Sequence, residues 1–83
     1  MSYAVTWSER AVSAGSAFLA DDPEGLAQVL HAADRLATDP RPHGAFPYGS
    51  SDLLRIRVGR YRILYEIDQA AESITVLHVG RVA

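Results

Sequence analysis

The sequence predicts an α+β domain of element order β-α-α-β-β-β, with a helical hairpin packed on one face of a small antiparallel sheet. Three observations carry this. Two adjoining segments between Ser8 and Asp39 space their apolar residues as helices do. From Leu53 onward the apolar and polar residues alternate with a period of two. Between these strand-like runs, Gly59-Arg60 and the stretch from Gln69 to Glu72 supply turns.

The first strand is short, with Tyr3, Val5 and Trp7 on one side. Ser8 is placed to cap the helix that follows, and Glu9 suits the positive end of its dipole. Ala11, Val12, Gly15, Phe18 and Leu19 make that helix's apolar face. Asp22-Pro23-Glu24 then reads as a second helix start, with Asp at the cap and Pro at the first helical position. Leu26, Val29, Leu30, Ala33, Leu36 and Ala37 form its apolar stripe, and Asp39-Pro40 ends it.

Residues 40–51 are rich in Pro, Gly and Ser and read as a loop. Leu54, Ile56 and Val58 alternate with Leu53, Arg55 and Arg57 on the next strand. Gly59 sits where a hairpin needs positive φ. Tyr61, Ile63, Tyr65 and Ile67 alternate with Arg62, Leu64, Glu66 and Asp68. The last strand, from Ile74 to Val79, leaves its parity open, because Ile74 and Val76 compete with Leu77 and Val79 for the inner face. If Ile56, Ile63 and Tyr65 face the helices, Arg55, Arg57 and Arg62 share the opposite face.

With 83 residues the chain is read as one domain, residues 1–83, of a size that buries only about 60–65% of its unfolded surface. The hydrophobic fraction of 48% excludes a disordered chain. There is no cysteine, which excludes disulfides and cysteine-bound zinc and suits a reducing cytoplasm. The opening residues have no basic start and no long apolar run, so no secretory signal is expected. No stretch approaches the roughly 20 apolar residues of a membrane span.

The net charge of −2 weakly opposes polyanion binding, but the distribution favours it. Residues 52–65 hold four arginines, Arg55, Arg57, Arg60 and Arg62, against one acid, Asp52. All eight basic residues are arginine. Genomic composition explains this, or else the match between planar guanidinium forks and phosphate. His31 on the second helix and His43 in the loop read as solvated or structural. His78 reads either as a partly buried strand residue or as a proton carrier near neutral pH. The three histidines have no metal-site spacing, and neither metal nor cofactor is expected. Tyr48, Tyr61 and Tyr65 either stack on bases or, as core and loop anchors, do not.

The run Leu54-Arg55-Ile56-Arg57-Val58-Gly59-Arg60-Tyr61-Arg62-Ile63-Leu64-Tyr65 resembles the R-x-R-x-G-x-Y-R-x-x-Y signature of RelE/ParE-type toxins from type II toxin–antitoxin pairs. Ile74 to Arg81 resembles that family's last strand, which leads into V-G-H-R. Val5, Trp7 and Ser8-Glu9-Arg10-Ala11 fit its opening, and Asp39-Pro40-Arg41-Pro42 fits the loop after its second helix. The resemblance covers essentially the whole chain. It implies a cytoplasmic toxin bound by a RelB-like antitoxin in a hetero-oligomer. In the RelE branch such toxins cut mRNA in the ribosomal A site; in the ParE branch they poison DNA gyrase instead. A degenerate member would only bind its antitoxin and help repress its operon. By the RelE pattern Arg62, Arg55, Arg81 and His78 are the expected catalytic set, with Arg57 and Arg60 binding RNA. A second basic position of the family falls on Leu53. The family's short C-terminal segment, which carries a Tyr or His, has no counterpart after Arg81-Val82-Ala83. Weak toxicity and no cleavage of naked RNA are therefore expected.

Overall fold

The computed structural model describes residues 2–82. Its elements are β1 (Ala4–Trp7), α1 (Glu9–Asp21), α2 (Pro23–Arg35), β2 (Phe46–Pro47), β3 (Leu53–Val58), β4 (Tyr61–Asp68) and β5 (Ser73–Arg81). Both helices start as their sequences dictate. The Ser8 hydroxyl accepts from the Ala11 N–H at 3.1 Å, and the Asp22 carboxylate accepts from the Gly25 N–H at 3.1 Å, each satisfying a donor that the helix leaves free. No helix among the described residues is long and apolar enough to cross a membrane.

The five strands form one sheet in the order β1-β5-β4-β3-β2. It departs from the expected antiparallel sheet at one edge, where β1 runs parallel to β5, from Ala4 opposite Ser73 to Trp7 opposite Val76. A period of two fixes which side chains share a face but carries no information on strand direction. It also gains β2 within the expected loop: Phe46 pairs with Arg55 and Pro47 with Leu54. Proline is tolerated there because β2 is an edge strand. The loop is pinned at both ends. Arg41 donates to the Ser51 carbonyl at 2.7 Å and to the Asp52 carboxylate at 3.0 Å. The Tyr65 hydroxyl donates to the Pro40 carbonyl at 2.8 Å, and burial pushes its pKa up to about 12, so it stays a donor.

The core lies between the hairpin and the sheet. Leu26, Val29, Ala32, Ala33 and Leu36 meet Leu54, Tyr61, Ile63, Tyr65, Ile67, Ile74, Val76 and Val79. Val12, Leu19 and Leu30, which share the helices' apolar stripes, remain about half exposed instead, because they turn toward a groove between the helices rather than the sheet.

Two junctions tie the hairpin to the sheet. At one, the Tyr61 hydroxyl donates to Asp22 at 2.8 Å, and the Tyr61 ring meets Phe18 edge-on at 5.3 Å. The Tyr61 hydrogen bond, with that from Gly25, holds the Asp22 carboxyl below the usual carboxylate range. At the other, β5 carries a bulge. Leu64 pairs with His78 but Tyr65 pairs with Val76, which leaves Leu77 as the extra residue. Ser8 closes over it: its N–H donates to the Val76 carbonyl at 2.9 Å and its hydroxyl to the Leu77 carbonyl at 3.1 Å. The bulge resolves the open parity, because Ile74, Val76 and Val79 all reach the core while His78 turns to the opposite face.

Two stability predictions follow from these junctions. Alanine is normally about 1 kcal/mol better than glycine inside a helix. At Gly25 the added Cβ would collide with the Asp22 carboxylate and come within 2.8 Å of the Tyr61 ring. Gly25→Ala is therefore expected to destabilise by about 1–3 kcal/mol in urea unfolding; a gain in stability would mean that the Asp22–Tyr61 junction yields freely. Ser8→Ala removes the cap and the Leu77 partner together, and a loss of about 1–2 kcal/mol is expected by the same measurement. A loss near zero would show that water replaces both bonds.

Candidate functional site

The face of the sheet turned away from the helices is built in rows of directly opposed residues. Phe46 stands opposite Arg55, Arg55 opposite Leu64, and Leu64 opposite His78. In the next row Arg57 stands opposite Arg62, and Arg62 opposite Gly80. Like charges directly opposed across strands are destabilising. The ion pairs among the described residues are Arg41–Asp52 and Arg81–Asp21, so no carboxylate lies within salt-bridge distance of Arg55, Arg57 or Arg62. Arg55 instead lies over the Tyr48 ring, 5.1 Å from its centre, and Arg57 donates to the Gly59 carbonyl at 3.1 Å.

Two concavities share Arg55 and Arg62. One, of about 440 Å³, is bounded by Tyr48, Leu64, His78 and Gly80 as well as these arginines. The other, of about 190 Å³, adds Gly44, Phe46 and Arg57. His78 is half-buried. Its Nδ1 is the one buried side-chain polar atom among the described residues without a hydrogen-bond partner, and its Nε2 lies beside Gly80, where no side chain fills the pocket. Further along the same face, Glu66 and Asp68 join Asp52 around a separate hollow, which bounds the cationic patch with acids. A larger hollow of about 560 Å³ lies at the end of α2, lined by Arg35, Leu36, His43, Ile56 and Arg57, but it gathers neither Arg55, Arg62 nor His78.

The structure brings five of the six residues singled out in the sequence to these concavities, Arg55, Arg62, His78 and Arg81 to the larger and Arg55, Arg57 and Arg62 to the smaller. Arg81 lines the larger concavity, but its guanidinium is committed elsewhere. Its Cα pairs with Tyr61, whose side chain faces the core, so its own side chain runs to the helix side. There its guanidinium is bound by Asp21, which raises its pKa further, and it lies over the Phe18 ring at 4.9 Å. Arg60 sits in the β3–β4 turn, exposed, beside Asp22 rather than in either concavity. His31 and His43 are exposed, and among the described residues no group of three or more His, Asp and Glu side chains is placed to hold a metal ion. Tyr61 and Tyr65 are core residues with hydrogen-bonded hydroxyls.

Phe46 is the member of the site that the sequence did not reveal. It is 65% exposed and projects beside Arg55 from a two-residue strand hidden in a Pro- and Gly-rich stretch. The spacing Phe46-Pro47-Tyr48 was the one available signal, two aromatics a strand repeat apart.

The family model for the ParE toxin of type II toxin–antitoxin systems (parDE) matches residues 18–83. No curated protein matches the chain by sequence. Among solved structures, it is similar to a chain of the RelBE2 toxin–antitoxin complex from Mycobacterium tuberculosis, at 25% identity and a TM-score of 0.83 over 98% of this chain and 99% of that one. It also superposes on the isolated RelE toxin of E. coli, with a TM-score of 0.83 at 19% identity over 98% of this chain and 85% of that one. Against the chromosomal ParDE system of P. aeruginosa the TM-score is 0.77 at 10% identity, over 98% of this chain and 97% of that one. The matched family model, the two-helix, five-strand architecture and the closer superposition on RelE agree: the chain belongs to the ParE toxin family of type II toxin–antitoxin systems, within the RelE/ParE superfamily, and its backbone follows the RelE branch.

Proposed function

We propose that this toxin is a ribosome-dependent endoribonuclease that cuts mRNA in the cytoplasm and is held inactive by a cognate RelB-like antitoxin. The observation that carries the reading is the set of unneutralised guanidiniums, Arg55, Arg57 and Arg62, that shares a face with His78. Cleavage by attack of the 2′-hydroxyl on the adjacent phosphorus builds negative charge on the phosphorane. Preorganised Arg55 and Arg62 are suited to stabilise it through charge-assisted hydrogen bonds. Arginine stays protonated and cannot take the proton from the 2′-hydroxyl. His78 is the group in the pocket suited to move a proton, at the attacking or the leaving oxygen. Orphaned buried polar atoms are few in native proteins, and that one falls on His78 Nδ1 supports a role there beyond packing.

With a net charge of −2 the chain attracts polyanions weakly at long range. The ribosome would supply the positioning, which by itself accounts for a large share of such barriers. The antitoxin reading is supported by the groove of about 400 Å³ that Trp7, Val12, Leu19 and Leu30 line between the helices, a seat for an apolar helix. Acidic residues of the same partner would cover the arginine face. Solved structures similar to this one include RelE–RelB complexes from M. tuberculosis and Pyrococcus horikoshii, which further supports a hetero-oligomer. A second reading, gyrase inhibition without nuclease activity, is favoured by the commitment of Arg81 to Asp21, which leaves fewer free cations at the site.

Induction of the chain in a bacterium distinguishes the two. The nuclease reading expects new mRNA ends within translated codons and intact DNA supercoiling. Arg62→Ala is expected to lower cleavage on ribosomes by about 10²–10³, and His78→Ala by about 10²–10⁴, neither with a loss of thermal stability. Collapse of supercoiling with intact mRNA would instead establish the gyrase reading.

A further inference from the structure

We propose that Phe46 and Tyr48 are two base-stacking platforms for a single-stranded RNA step whose bridging phosphate lies on Arg55 and Arg62. The inference rests on the reading of the arginine face as an RNA phosphate site and adds to it how the flanking nucleotides are held. Phe46 and Tyr48 are 65% and 51% exposed, and neither packs against the core. Phe46 is an apolar ring left in water, and Tyr48 carries Arg55 on one side, both beside guanidiniums without carboxylate partners. They do match what single-stranded nucleic acid needs, a cationic track with aromatic faces along it.

The geometry places one ring on each side of the shared cations. Tyr48 borders the larger concavity with His78, and Phe46 borders the smaller one with Arg57; Arg55 and Arg62 line both. The backbone beneath each ring is fixed. Phe46 pairs with Arg55, and the Tyr48 N–H donates to the Leu53 carbonyl at 2.7 Å. Arg55 lies over one side of the Tyr48 ring, so a base on the other side completes a cation–ring–base stack.

The placement of the platforms selects the substrate's conformation. The rings stand on opposite sides of Arg55 and Arg62, one in each concavity, rather than face to face. Bases in a helix are separated by about 3.4 Å. Two bases on these platforms therefore cannot remain stacked on each other. That favours an unpaired, splayed step over a duplex. Splaying the two nucleotides also frees the 2′-oxygen to swing into line with the leaving 5′-oxygen, an arrangement that continuous stacking prevents. Phe46 and Tyr48 are positioning residues in this sense: they set the conformation of the step on which Arg55, Arg62 and His78 act.

The test uses the full-length toxin and a dinucleotide with a 2′-O-methyl group on the 5′ sugar, which cannot be cut. Ring-proton NMR signals of Phe46 and Tyr48 are followed as it is added, with inorganic phosphate and an RNA hairpin duplex as comparison ligands. Upfield shifts at both rings are expected, with binding at least tenfold tighter than phosphate and no ring shift with the duplex. Phe46→Ala and Tyr48→Ala should each weaken dinucleotide binding by about tenfold while leaving phosphate binding unchanged, and Phe46→Tyr should restore it. Rings that do not move, or a dinucleotide that binds no tighter than phosphate, overturn the proposal. So does a response of the rings to an acidic antitoxin peptide and not to the dinucleotide. Because the measurement involves no cleavage, loss of the nuclease reading on ribosomes leaves a positive result here standing, and the reverse.

Discussion

Both faces of the sheet depend on the one extra residue at Leu77. Without it, β5 would have to choose between Ile74 and Val76 or Leu77 and Val79 for its inner side, and one pair would be lost from the core. The bulge lets Ile74, Val76 and Val79 all point inward, and it turns His78 outward opposite Leu64. An unpaired bulge carbonyl is costly when half-buried, and Ser8 removes that cost while capping α1. The start of the first helix and the histidine of the open face are thus fixed by the same side chain, although 70 residues separate Ser8 from His78.

The open face carries the opposite bargain. Arg57 opposite Arg62, with Arg55 in the adjoining row, concentrates positive charge that the chain has acids enough to neutralise. Those acids are placed elsewhere. Asp52 holds Arg41 in the loop, Asp21 holds Arg81 against α1, and Asp22 holds Tyr61. Glu66 and Asp68 stand on the same face but further along β4, around a different hollow. A fold selected for stability alone would have interleaved these charges. Their segregation supports the proposal that the cationic patch receives an anion from outside.

Much of this was legible in the residues. Caps at Ser8 and Asp22, Pro23 at a helix start, and the turn at Gly59, whose φ is 60°, are local chemistry and were readable one by one. The alternation through Leu53–Val58 and Tyr61–Asp68 placed the arginines on one face correctly. What stayed hidden depends on contacts between distant segments. The parallel docking of β1 on β5, the Ser8 bond that closes the bulge, and the diversion of Arg81 to Asp21 depend on partners 60 or more residues away. The apolar stripes of the helices were visible, but not that Val12, Leu19 and Leu30 would be left outside the core, since a stripe's width does not say how much of it the sheet covers. Phe46 was hidden because two residues are too few to show a period.

The central claim is that Arg55, Arg57 and Arg62 form a preorganised anion site whose mutual repulsion the free protein tolerates. The most direct measurement is the melting temperature at constant ionic strength as chloride is replaced by millimolar sulfate, for the wild-type chain and for Arg62→Gln. A ligand that binds the folded state raises Tm in proportion to its occupancy. The wild type is expected to gain stability with sulfate and then saturate. Arg62→Gln is expected to melt higher than wild type without sulfate, since the Arg57–Arg62 repulsion is gone, and to respond little to the anion. A variant that melts lower than wild type, together with a wild type indifferent to sulfate, would contradict the account.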